Sequence, residues 1–155
     1  MDLILSDDSP KNTTLSRPSG ELVYEISTPP RAFGVYPRPT TLRRSGTGAS
    51  DEIGIIGARG LANSMCLVSG RDVMPGRLGM FQSRASGMAF KSSNGQMYTW
   101  KRGQDDGLLI DNSKTTIAIY EASHSGLLSG GPHPAKLWIA RECEEIADEI
   151  VATWV

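Results

Sequence analysis

Arg141-Glu142-Cys143-Glu144-Glu145-Ile146-Ala147-Asp148-Glu149-Ile150-Val151-Ala152-Thr153-Trp154-Val155 closes the chain without a glycine or a proline. Cys143, Ile146, Ala147, Ile150, Val151 and Trp154 recur at helical spacing, so the segment reads as one helix over 141–155. Five acids, Glu142, Glu144, Glu145, Asp148 and Glu149, crowd its first half, where they suit the positive end of the helix dipole. Its second half is apolar almost all round, the pattern of a helix covered on every side. No comparable helical period precedes it. One buried helix after many short strands predicts a barrel with the helix through its middle. Ile146, Ile150 and Trp154 are then expected to be buried, with Glu145 and Asp148 or Glu149 nearer an open end.

The strands are read from alternation. Leu22, Tyr24 and Ile26 alternate with Glu21, Val23, Glu25 and Ser27, a half-buried strand between Pro18-Ser19-Gly20 and Pro29-Pro30. Thr13-Thr14-Leu15 is its hairpin partner. Thr40 to Arg44, Ile53 and Ile55 on one shared face, Met65 to Val68, and Leu78 to Phe81 follow. Asn94-Gly95 between Met88–Lys91 and Met97–Lys101 is a strong hairpin signal, because both residues tolerate positive φ. Leu108 to Ile110, Thr115 to Glu121 and Lys136 to Ala140 complete about ten strands at the spacing of sandwiches and barrels. With 155 residues, the chain has room for a single domain and one core. The whole span 1–155 is read as that domain.

Several of these stretches together resemble a known family. Leu3 to Leu15, Gly20 to Pro29, the run from Phe90 through Asn94-Gly95 to Tyr98-Thr99-Trp100-Lys101, and the acidic-to-apolar ending resemble, in order and spacing, a group of mushroom-type fungal domains of unknown function. That group is similar in fold to the tubby C-terminal domain, the phospholipid scramblases and the plant LURP-one-related proteins. The resemblance implies a mainly β fold: a closed antiparallel β-barrel of about a dozen strands around a hydrophobic C-terminal helix.

Catalytic signatures are missing. There is no G-x-S-x-G elbow, Walker loop, H-E-x-x-H or C-x-x-C. Gly46-Thr47-Gly48 lacks the third glycine and the helix of a dinucleotide site. His124 and His133, the two histidines, lie in Ser/Gly- and Pro-rich surroundings, so a zinc site with Cys66 or Cys143 is not expected. Cys66, between Met65 and Leu67, reads as a buried, inert thiol. Asp105-Asp106-Gly107 and Asp111-Asn112 depart from calcium-loop spacing and read as turns. Trp100, Trp138 and Trp154 read as core residues; the strand phase of Trp138 opposes Leu137 and Ile139, which leaves a ligand-stacking role open to it beside the favoured packing role. The chain is therefore expected to be non-enzymatic, with no catalytic residues, cofactor or metal.

Charge distribution says more than net charge. Sixteen bases against seventeen acids give −1, a balance unlike that of a dedicated nucleic-acid binder. Residues 1–10 carry three acids and no base; residues 11–104 carry thirteen bases against five acids; residues 105–155 carry three bases against nine acids. The basic middle offers Arg43, Arg44, Arg59, Lys101 and Arg102 as a candidate patch for an anionic ligand, since arginine suits bidentate phosphate contact. The same charges also serve as ordinary solvated strand surface. Two cysteines are too few for a disulfide framework, and the start lacks a secretory pattern. With no apolar run of about 20 residues to span a membrane, the expectation is a cytoplasmic protein that touches a membrane at most from its surface. Three functions are compatible with these features. The first is a module for anionic phospholipid head groups or a lipid-like ligand. The second is a protein-interaction domain using the loops Ser45–Ser50 and Ser123–Pro134. The third is an enzyme with a small-molecule site in a barrel mouth.

Overall fold

The structure, a computed structural model, describes residues 1–30, 38–46, 50–59, 63–73, 87–103, 106–125 and 132–155. Twelve strands form one antiparallel sheet: β1 (Asp2–Leu5), β2 (Thr13–Ser16), β3 (Leu22–Ser27), β4 (Thr40–Ser45), β5 (Ser50–Arg59), β6 (Asn63–Val68), β7 (Arg71–Asp72), β8 (Met88–Lys91), β9 (Met97–Arg102), β10 (Gly107–Asp111), β11 (Thr116–Glu121) and β12 (Lys136–Ile139). Their order is β7-β6-β5-β4-β3-β2-β1-β12-β11-β10-β9-β8. Each neighbour is the next strand in sequence, except where β1 meets β12 and joins the two ends of the chain. The proposed strand over Leu78–Phe81 lies outside the described residues.

Two β-bulges revise the alternation. Leu15 pairs with Tyr24 but Ser16 pairs with Leu22, which makes Val23 the extra residue. Val23, Tyr24 and Ile26 are therefore buried, and Leu22, expected on their face, is exposed. Across β4 and β5 the register slips between Leu42 and Arg43, with Ile53 as the extra residue. Ile53 and Ile56 pack on the core, and Ile55 does not share the face of Ile53 as the alternation required. The β8–β9 connection is also a turn of another type. Gly95 N–H bonds to the Ser92 carbonyl at 3.0 Å, and Ser92 N–H to the Gln96 carbonyl at 2.9 Å. Gly95 has φ +83°, while Asn94 keeps a negative φ. This is a three-residue loop with glycine at the left-handed position, rather than a two-residue turn.

The terminal helix is divided. Arg141–Ile146 is a 3-10 helix and Ala147–Trp154 an α-helix, α1. Three residues per turn bring Cys143 and Ile146 onto one buried line, while the exposed acids between them face water. Glu144 lies 3.0 Å from the Met1 ammonium, which holds its carboxyl below the ordinary range. Ile146, at φ −107° and ψ 17°, marks the break between the two helices.

The sheet is strongly curled. A flat sheet would hold β3 and β9 about 29 Å apart at the usual strand spacing, whereas α1 is only about 12 Å long. Yet Tyr24 on β3 donates to Asp148 of α1 at 2.6 Å, and Trp100 on β9 donates through Nε1 to Thr153 at 3.1 Å. Tyr120 on β11 packs against Trp154, ring centroids 5.0 Å apart. Ile146, Ile150 and Trp154 are buried as expected. Glu145 is exposed and Asp148 half-buried, but Glu149 is buried. Its two carboxylate oxygens accept the Ser93 N–H at 3.1 and 3.0 Å, which anchors the β8–β9 turn to the helix. The two edge strands approach each other, and Arg71 on β7 donates to the carbonyl of Ser92 just beyond β8 at 3.0 Å.

Candidate functional site: an aromatic groove on the outer face of the sheet

The strand phases that fill the interior also decide what the outside shows. On β12, Leu137 and Ile139 point inward and are fully buried. Trp138 between them points outward and is 37 % exposed, so it is not the core residue its type suggested. Its direct neighbours across the sheet are Asp2 on β1 and Ile119 on β11. One row along, Glu121, Lys136, Ile4, Ser16 and Leu22 stand opposite one another across β11, β12, β1, β2 and β3. Leu22, 40 % exposed, and Trp138 are the two exposed large apolar side chains among the described residues, and both lie on this face.

The surface is concave. A groove of about 470 Å³ is lined by Ile4, Ile119, Lys136 and Trp138 together with Asp2 and Glu121. Glu121 is shared with a second, polar hollow of about 730 Å³ lined by Asp8, Asp106, Ser123, His124 and His133. That hollow is built by the ends of the Ser123–Pro134 loop. His124 and His133 exchange backbone hydrogen bonds at 3.0 and 3.1 Å and face each other edge to face, centroids 6.0 Å apart. Asp8 accepts from the backbone N–H and hydroxyl of Ser123, which ties the β1–β2 connection to this loop. The carboxylates come from the two acidic ends of the sequence, which the β1–β12 pairing brings together. Among the described lining residues, Asp2, Asp8, Asp106 and Glu121 face one lysine or arginine, Lys136.

Of the five bases singled out by charge, Arg43, Arg44 and Lys101 have described side chains. Arg43 and Arg44 are consecutive on β4 and so point to opposite faces. Arg43 stands directly opposite Glu25 on β3 and Glu52 on β5. Arg44 lies over the Tyr24 ring, 5.9 Å from its centroid, with its guanidinium 3.4 Å from Asp148. Lys101 and Arg102 sit at the end of β9, seven places from β4 in the sheet order, with Lys101 exposed. Arg59 ends β5, opposite Asn63; the side chains of Arg59 and Arg102 are outside the described residues.

The remaining candidates are structural. Cys66 is fully buried; burial, with Asp72 and Glu149 nearby, pushes its thiol up to about 12, so it is a poor nucleophile. Burial, then Glu142, also raises the Cys143 thiol. Tyr24 is raised by burial first and by Asp148 second, which keeps its hydroxyl a donor. Asp111 caps its own turn through the N–H groups of Ser113 and Thr115, both at 2.8 Å. Among the described residues, no three His, Cys, Asp or Glu side chains are grouped to hold a metal ion. None of the helices there is long and apolar enough to cross a membrane. Gly46-Thr47-Gly48 and most of the Ser45–Ser50 loop lie outside the described residues.

A chain of this kind is a β-rich domain with an outward-facing aromatic groove. It belongs to the family of unknown function DUF6593, which matches residues 8–155. No curated protein and no solved structure matches it.

Proposed function

We propose that this domain is a non-enzymatic, intracellular binding module that captures a protein partner on the outer face of its sheet, in the groove at Trp138. The supporting observation is the position of Trp138. A large aromatic is left outside the core, beside Ile4 and Ile119, in a concavity within the size range of ligand sites. Exposed apolar surface of this kind, rimmed by charge, is characteristic of interaction sites. Buried Leu3 and Leu137 back the groove. In this reading the sheet closes into a tubby-like barrel around the helix. The Arg71–Ser92 bond between the edge strands and the contacts of α1 with β3, β9 and β11 support that closure.

Recognition of anionic phospholipid through Arg43, Arg44, Arg59, Lys101 and Arg102 has weaker support, because Arg43 faces two carboxylates and Arg44 is engaged with Tyr24 and Asp148. The test is a nonapeptide array probed with wild-type protein and with Trp138→Ala, run beside co-sedimentation with phosphatidylserine and phosphoinositide vesicles. Peptide capture that falls at least tenfold in Trp138→Ala is the expected result. Vesicle binding lost in a Lys101→Glu variant, without Trp138-dependent peptide capture, would replace this reading with the lipid one.

A further inference from the structure

We infer that the partner segment is a basic, apolar stretch of extended chain, lying across β3 to β11 with its apolar side chains on Trp138 and its positive charges toward Glu121 and the adjoining acidic hollow. This rests on the groove being the recognition surface. Glu121 lines both concavities, so a segment long enough to pass it reaches both. The first offers an aromatic ring and isoleucines. The second offers Asp8 and Asp106, each fixed by a loop contact to Ser123 or Ala122. With Asp2 and Glu121, these give four carboxylates against Lys136 among the described lining residues. That balance repels an anionic membrane and attracts a cation, and an exposed indole adds cation–π attraction for lysine or arginine.

The shape points to a peptide. The row from Leu22 to Glu121 crosses four strand spacings, about 19 Å, which is matched by about six residues of extended chain. Leu22 and Ile4 lie in that row and Trp138 in the row beside it, so the apolar surface is spread over several strands, as an alternating segment would need, rather than gathered in one deep pocket.

The experiment uses three sets of fluorescein-labelled nonapeptides with the same alternating leucines. The interleaved residues are lysine and arginine, glutamate, or serine. Fluorescence anisotropy is read at about 20 and 500 mM salt, a change that shortens the screening length severalfold. The basic set is expected to bind at least tenfold more tightly than the glutamate set at low salt, with the gap closing at high salt. Glu121→Lys should weaken the basic set several-fold more than the serine set, and Trp138→Ala should weaken both. Equal affinity of all three sets, still dependent on Trp138, would overturn the charge assignment and leave the groove as the recognition surface. Binding insensitive to Trp138 would overturn both. A concentration-dependent dimer that Trp138→Ala dissolves would put a second copy of this chain in the groove and overturn the basic-peptide assignment.

Discussion

Trp154 and Trp138 are the same residue type on opposite sides of one sheet, and replacing each by alanine separates interior from recognition surface. Trp154 is 8 % exposed and its ring lies on Tyr120 at 5.0 Å. A tryptophan buries about 200 Å², which at about 25 cal/mol per Å² sets an upper bound near 5 kcal/mol. A denatured chain that already covers part of its apolar surface lowers the figure, giving about 3–5 kcal/mol for Trp154→Ala. At about 2–4 °C per kcal/mol for a chain of this length, Tm falls by about 6–20 °C. Trp138→Ala opens no closed cavity, since its ring already borders water, so about 1–2 kcal/mol and a fall of about 2–8 °C is expected. Urea denaturation followed by far-UV circular dichroism gives both values, and unchanged m-values would confirm that the two native states remain equally compact. An equal or larger loss for Trp138→Ala would refute the assignment of Trp154 to the interior and Trp138 to the surface.

Other substitutions probe the joints between helix and sheet. Thr153→Val strands the buried Trp100 N–H and should cost about 1–3 kcal/mol in denaturant titration. Gly87 and Gly95 share φ +83°, but a side chain at Gly95 meets open space, while one at Gly87 runs into the Trp100 carbonyl. Gly95→Val should therefore cost about 1–2 kcal/mol from backbone strain alone, and Gly87→Ala should cost more, which paired melting curves will show. Alkaline pH tests the buried Cys66. Its thiol pKa is raised from 9.0 to about 12, so the folded state keeps a proton that the unfolded state releases. That contribution is complete below about pH 9 and is lost as pH rises toward 12, reaching about 2 kcal/mol by about pH 10.5. The stability gap between wild type and Cys66→Ala should thus narrow between pH 8 and pH 10.5. A constant gap would mean that the thiol is accessible to solvent.

Much of the fold was legible because burial writes a period into the chain. The acid-then-apolar ending marked a covered helix, and alternation marked most of the strands. What escaped were features whose cause lies in neighbouring strands. The extra residues Val23 and Ile53 reverse the phase of Leu22 and Ile55, and nothing in the local text distinguishes a bulge from a regular strand. β1 is only four residues long and gains its place by pairing with β12, at the far end of the chain. The division of the terminal helix at Ile146 also lacks a breaker residue. The site was legible in one respect only. Strand phase set Trp138 against Leu137 and Ile139, yet residue type argued for the core. Net charge by segment showed a basic middle and acidic ends, and the basic middle drew attention. The β1–β12 pairing is what turned the two acidic ends into one surface, and that pairing is a property of the topology.

The three tryptophans allow the central claim to be measured in a single titration. Uniformly ¹⁵N-labelled protein gives one indole N–H resonance for each of Trp100, Trp138 and Trp154, and Trp138→Ala identifies its own by removing it. On addition of the lysine- and arginine-bearing leucine nonapeptide, the Trp138 resonance should shift and saturate, while those of Trp100, bonded to Thr153, and Trp154, against Tyr120, stay in place. A Trp138 resonance that stays fixed while the peptide binds, or shifts confined to Trp100 and Trp154, would contradict the groove as the recognition surface.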